Sequence, residues 1–128
     1  MGEVWIKHES EIPWPEWGTS DKGRQARLRY VSDQTKGPTF FFSEYAPNVV
    51  VNAHSHEVNE CIYVLEGFLK VGKTPCYPGT LVFVEKHTVY GPLAAGPTGV
   101  KFLNIRGGHS EGAEFRGKDV YKTSKPAE

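Results

Sequence analysis

Three residues of this chain have the types and spacing to do chemistry together: His54, His56 and Glu60. They lie within residues 48–67, NVVVNAHSHEVNECIYVLEG. His54 and His56 are two residues apart. On a β-strand that spacing puts both imidazoles on one face, because side chains alternate with period two. Glu60 follows after three intervening residues and opens the β-rich run ECIYVLEG. Two imidazoles and a carboxylate converging from one face are a set of metal donors. With one side of the metal open, they form the 2-His-1-carboxylate arrangement of non-haem iron.

The elements that must position these residues read as strands. Residues 49–55 lead into the histidines. Residues 60–66 form a strand ending at Gly67, read as a tight turn, and 68–71 pair back. Residues 72–79 read as a loop, and 80–84 and 100–105 as strands. Upstream, 24–32 alternates. Gln25, Arg27 and Arg29 share one face, expected to be solvated, with Ala26, Leu28 and Tyr30 on the other. TFFFSEY, residues 39–45, is an aromatic-rich strand. Asn48 closes the turn before the histidine strand, and Asn tolerates the left-handed backbone conformation better than most residues. Trp5, Trp14 and Trp17, with Pro13 and Pro15, mark an N-terminal arm packed over the outside, or a dimer contact. The polar tail adds an edge strand or stays loose. Short strands with turn signals about every 8–12 residues, and no convincing helix, predict an all-β sandwich or barrel.

At 128 residues the chain is expected to be one domain. Fifteen basic and fifteen acidic residues give a net charge of zero, so nothing attracts nucleic acid or an acidic membrane surface. No apolar run has the length of a membrane span, and residues 1–12 lack a signal-peptide core, so the expected compartment is the cytoplasm. Cys61 and Cys76 are expected to be small buried hydrophobes, with Cys61 facing away from the metal side.

The stretch 48–67 closely resembles the first motif of the cupin superfamily, in which His-x-His, a Glu and a later Gly recur. Here they are His54, His56, Glu60 and Gly67. The likeness continues into Pro78, Gly79 and Thr80, which resemble the start of the second motif. The resemblance implies one small cupin domain, a double-stranded β-helix or jelly-roll barrel. It divides into an arm at 1–23, a barrel at 24–108 and a tail at 109–128. It also implies one divalent transition metal on His54, His56 and Glu60, with iron first and manganese, nickel or zinc as alternatives.

The second motif departs from the family pattern: Tyr90 stands where a fourth ligand, His, is usual. Tyr90 could ligate the metal as a phenolate, or donate a hydrogen bond to a bound water or substrate. His87 could instead slip inward. The second alternative is preferred, with Tyr90 as donor or proton shuttle, because a phenol with a pKa near ~10 stays protonated. His8, His87 and His109 read as surface residues. The run Tyr90-Gly91-Pro92-Leu93 resembles small cupins carrying His-Gly-Pro-Leu.

An open metal in an apolar barrel suits a small aromatic or dicarbonyl substrate, with Ile62, Val64, Phe42, Glu44 and Arg106 as candidate pocket residues. A dioxygenase is the first reading, and a Lewis-acid isomerase, cyclase or lyase the next. A ligand-binding sensor or a metal-free structural cupin are the alternatives outside catalysis. A homodimer is expected.

Overall fold

In the computed structural model the described residues are 2, 4, 6–32, 38–107, 113–115 and 121–123, the last two segments as backbone only. After a short 3-10 turn at Glu9–Glu11 come β1 (Thr19–Ser20), β2 (Gly23–Arg24), β3 (Ala26–Tyr30) and β4 (Thr39–Tyr45). Then follow β5 (Val49–Val51), β6 (His54–His56), β7 (Glu60–Val71) and β8 (Thr74–Cys76). The series ends with β9 (Leu81–Val84), β10 (Leu93–Arg106), β11 (Ala113–Phe115) and β12 (Tyr121–Thr123). Every named strand pair is antiparallel. Among the described residues no helix is long and apolar enough to cross a membrane. The all-β class expected from the turn spacing is the class observed.

The 14-residue β10 organises the fold. Residues 100–106 pair with β4 on one side and β7 on the other. At its start, Leu93 and Ala94 pair with β5. β3 lies beyond β4, while β8 and β9 lie beyond β7. Alternation then sorts the side chains. From β4, Phe41, Ser43 and Tyr45 are buried; from β7, Glu60, Ile62 and Val64; from β10, Phe102 and Asn104. One part of this interior is apolar, with Val49, Val64, Leu69, Val100 and Phe102 nearly or fully buried. The other part holds His54, His56, Glu60, Ser43 and Asn104.

The structure corrects several local expectations. There is no tight turn at Gly67: β7 runs unbroken from Glu60 to Val71. Gly67, at φ 70°, instead faces Gly99, at φ 85°, beside a register shift between Ala95 and Val100. A Cβ at Gly67 would strike the Gly99 carbonyl, which is why glycine is needed there. The turn falls at Gly72, φ 59°, and the expected loop 72–79 contains β8. Asn48 is left-handed as expected, at φ 64°. The tail contributes β11 beside β6 and β12 beside β5. Trp5 and His109 lie outside the described residues. Cys61 is exposed rather than buried, because it occupies an outward position on β7; Cys76 is buried, and both are free thiols.

Arg29 is not solvated. It is only 8% exposed, because the arm folds over it. Its guanidinium lies 4.3 Å from the Trp14 ring and 4.5 Å from that of Phe42, and donates to the carbonyls of Glu9 and Ile12. Arg27 also stacks on Trp14, at 4.6 Å, and pairs with Glu44. Cation–π stacking in a partly dry setting holds the arm to the sheet.

Beside the charged row of Arg27, Glu44, Lys101 and Glu66, the rest of the outer face has few polar groups. The register aligns Phe40, Ile105, Cys61 and Phe83 in one row across four strands. Phe42, Leu103, Tyr63 and Leu81 form the next. A solvated sheet face would place polar residues here. Instead Leu81 is 73% exposed and Phe83 62%. Both lie on β9, which among the described strands pairs only with β7. We propose that a second copy of the chain covers this face, because two uncharged rows running to a free strand edge complement themselves. Sedimentation at micromolar concentration is expected to give a dimer. A Leu81→Lys, Phe83→Lys variant is expected to sediment as a monomer with its melting temperature little changed. A monomeric parent at high concentration would sink the idea.

Candidate active site

Glu60 is the centre of the polar end, at 1% exposure. A buried carboxylate needs hydrogen-bond donors and a countercharge, and both are present. The Tyr90 hydroxyl donates to Oε1 at 2.6 Å. Arg106 Nε donates to Oε2 at 2.6 Å. Asn104 Nδ2 reaches the same oxygen at 3.4 Å, while its Oδ1 accepts from Ser43 Oγ at 2.7 Å. The strands impose this arrangement. Arg106 is the register partner of Glu60, and Asn104 of Ile62, so both β10 residues project to Glu60's side.

Tyr90 is held by backbone. Its N–H and carbonyl bond reciprocally with those of His54, at 3.0 and 3.1 Å. Its ring centroid lies 4.7 Å from that of His54 and 6.2 Å from that of His56. Burial, and then the charge and hydrogen bond of Glu60, push the phenol's pKa well above its ordinary value. Tyr90 is therefore a protonated donor. The neighbouring carboxylate opposes loss of that proton.

The histidines take different roles. His54 Nδ1 lies 2.8 Å from the Asn52 carbonyl, which can only accept, so Nδ1 carries the proton and Nε2 the lone pair. Burial lowers the pKa of His54, partly offset by the Asn52 hydrogen bond and by Glu60. His56 Nε2 lies 3.3 Å from Arg106 Nη2. Arginine only donates, so this nitrogen accepts. The 3.9 Å approach of His56 Nε2 to Glu60 Oε1 is then a contact of neutral imidazole with carboxylate, not an ion pair.

His54, His56 and Glu60 thus share one interior region, as the spacing predicts, and Tyr90 and Arg106 join them. The other expected pocket residues are placed differently. Ile62 and Val64 share Glu60's face but are fully buried in the apolar core. Phe42 and Glu44 have outward parity on β4, the opposite side from Glu60. Phe42 borders an outer cavity of about 370 Å³ with Trp14 and Arg29. Glu44 borders another of about 170 Å³ and pairs with Arg27 and Lys101. Their inward neighbours Phe41 and Ser43 take the interior positions. His87 is an exposed turn residue at φ 62°, bound through its N–H to the His56 carbonyl, and does not replace the missing ligand. Asn52, Ser43 and Asn104 were not anticipated. The readable signal for Asn104 was its place two residues before Arg106 in an otherwise apolar strand.

The donor types suit a divalent ion, but their arrangement does not. Both Glu60 oxygens are engaged by donors, and the guanidinium stands against His56 Nε2. Among the described residues, no three His, Cys, Asp or Glu side chains form a group that could hold a metal ion. Charge points the same way: Glu60 and Arg106 already neutralise each other, and a divalent ion would add two positive charges beside a buried cation.

The fold is that of the cupins, here enclosing a His–Glu–Tyr–Arg cluster. The chain is similar to the polyketide cyclase RemF from Streptomyces resistomycificus, at 18% identity over 91% of this chain and 88% of that one, TM-score 0.72. It is also similar to an RmlC-like cupin from Shewanella frigidimarina NCIMB 400, at 14% identity over 83% and 92%, TM-score 0.65. A third similar structure is iron(II) HppE, at 19% over 80% and 60%, TM-score 0.60. No protein-family model and no curated protein sequence matches the chain.

Two outcomes follow. Unfolded His54 takes a proton near pH 6.5, whereas folded His54 does so only at lower pH. The unfolded state then binds more protons, so stability falls as pH drops below 6.5. Melting curves of a His54→Gln variant are expected to show a shallower loss across that range. Glu60→Gln leaves the Arg106 cation unpaired, and chemical denaturation is expected to show a loss of about 3 kcal/mol. Glu66→Gln, at an exposed pair with Lys101, is expected to cost under about 1 kcal/mol.

Proposed function

We propose that this chain is an enzyme that moves protons on a small carbonyl-bearing molecule, in a cyclisation or isomerisation. One observation carries the reading: a hydrogen-bonded Tyr90–Glu60–Arg106 chain beside a neutral His54. His54 Nε2, with its lone pair available at neutral pH, acts as general base toward a proton on the carbon next to the carbonyl. Tyr90, turning its single O–H from Glu60 to the substrate, is the hydrogen-bond donor at the carbonyl oxygen, where negative charge develops, and it keeps its proton. In the resting site Glu60 accepts from Tyr90 and fixes its ring, and Arg106 pairs with Glu60. The similarity of the chain to a polyketide cyclase structure fits this class.

A metal-dependent dioxygenase is the second reading, and a specific contact favours it. The bond from His54 Nδ1 to the Asn52 carbonyl presents Nε2 in the way that metal-ligating histidines are oriented. Iron is the first ion on this reading, with manganese, nickel or zinc after it. It requires Arg106 to withdraw from Glu60 and His56.

The test is exchange of α-protons for solvent deuterium in a panel of aromatic β-diketones, followed by NMR with chelator present. The native chain is expected to accelerate exchange, with the rate falling only below pH 6.5 as His54 takes up its proton. His54→Gln and Tyr90→Phe are each expected to lose about a hundredfold. No exchange with the native chain, together with iron-dependent oxygen uptake on the same panel, would replace this reading with the second.

A further inference from the structure

Arg106 stands between the groups a metal ion would otherwise share. Its Nε is 2.6 Å from Glu60 Oε2 and its Nη2 is 3.3 Å from His56 Nε2. The guanidinium carbon lies 4.9 Å from the Phe41 ring centroid, so an aromatic face supports it as well. Its backbone is held on both sides, opposite Glu60 on β7 and opposite Thr39 on β4. His56 Nε2 and Glu60 Oε1 are 3.9 Å apart, close enough for one cation to serve both.

We infer that Arg106 is a built-in cation that takes the metal's place in this chain, and that removing its charge lets His54, His56 and Glu60 draw together around a divalent metal. The inference rests on the same cluster as the acid–base reading, but its readout is metal uptake, which needs no substrate and no turnover. Arginine keeps its charge at all working pH values, so the guanidinium does not yield by deprotonation. A divalent ion must therefore bind against a fixed positive charge and compete for a carboxylate whose oxygens are engaged. Arg106→Met removes the charge while keeping an extended side chain. It leaves Glu60 with Tyr90 and Asn104, and in need of a cation.

Equilibrium dialysis against cobalt(II) tests the inference, with the melting temperature followed in parallel. The native chain is expected to retain no stoichiometric cobalt. Arg106→Met is expected to retain about one equivalent, with affinity raised by about a hundredfold or more. Cobalt is also expected to raise the melting temperature of the variant but not of the native chain, because an ion that binds only the folded state stabilises it. Adding His54→Ala and His56→Ala to Arg106→Met is expected to abolish both effects. Arg106→Gln, which can still donate to Glu60, is the second variant should the methionine chain not fold. One equivalent bound tightly by the native chain would overturn the inference, as would a folded, uncharged variant with no gain. Either result leaves the proton-exchange test to be judged separately.

Discussion

An ionised carboxylate buried to 1% exposure is the constraint on which the polar end of this protein depends. Left unpaired, a charge at Glu60 would cost several kcal/mol, enough to threaten a domain of this size. The surrounding structure meets that demand through two strands and a loop. β10 brings Arg106 and Asn104, β4 brings Ser43 behind Asn104, and the segment after β9 brings Tyr90. Each contact is long in sequence, 30 residues for Tyr90 and 46 for Arg106, so the cluster forms only when the strands are in register. A one-residue slip between β7 and β10 would send Arg106 to the outer face and leave the carboxylate without its cation.

The same alternation explains why the two faces of the sheet differ so sharply. Along β10, Phe102 and Asn104 point inward and are buried, while Leu103 and Ile105 point outward. The inward set changes from apolar to polar toward Arg106, which puts the chemistry at one end of an otherwise hydrophobic interior. Beyond Lys101 the outward set is apolar. The arm covers part of that face, where Trp14 packs against Phe42 and is sandwiched between Arg27 and Arg29. Arm and site therefore lie on opposite sides of β4, and Phe42 and Glu44 belong to the arm's side.

The spacing of the central motif carried the fold class and the gathering of His54, His56 and Glu60, because a period of two fixes which side chains share a face. Parity could also have placed Phe42 outward, since Phe41 and Ser43 share Tyr45's face, but no local signal says which face of a uniformly aromatic strand is buried. Gly67 was misread for a related reason. A glycine after an apolar strand marks a turn or a close backbone approach, and only the carbonyl of Gly99, 32 positions on, decides between them. Arg106 was legible as a polar residue at the mouth. Its ion pair with Glu60 was not, since register across two distant strands has no local signature.

A guanidinium and a divalent ion at this position are not interchangeable. Both would neutralise Glu60, but a metal can bind a substrate directly and change oxidation state, whereas Arg106 can only donate hydrogen bonds and hold a fixed charge. On the reading that Arg106 supplies the cation, the side chains left to act are those that can carry protons. Tyr90 keeps its proton because burial and Glu60 raise its pKa, and His54 stays neutral because burial lowers its own. Two titratable groups pushed in opposite directions, one toward donor and one toward acceptor, are what general acid–base chemistry needs. Each shift comes first from the side chain's own burial; Glu60 reinforces that of Tyr90 and opposes that of His54.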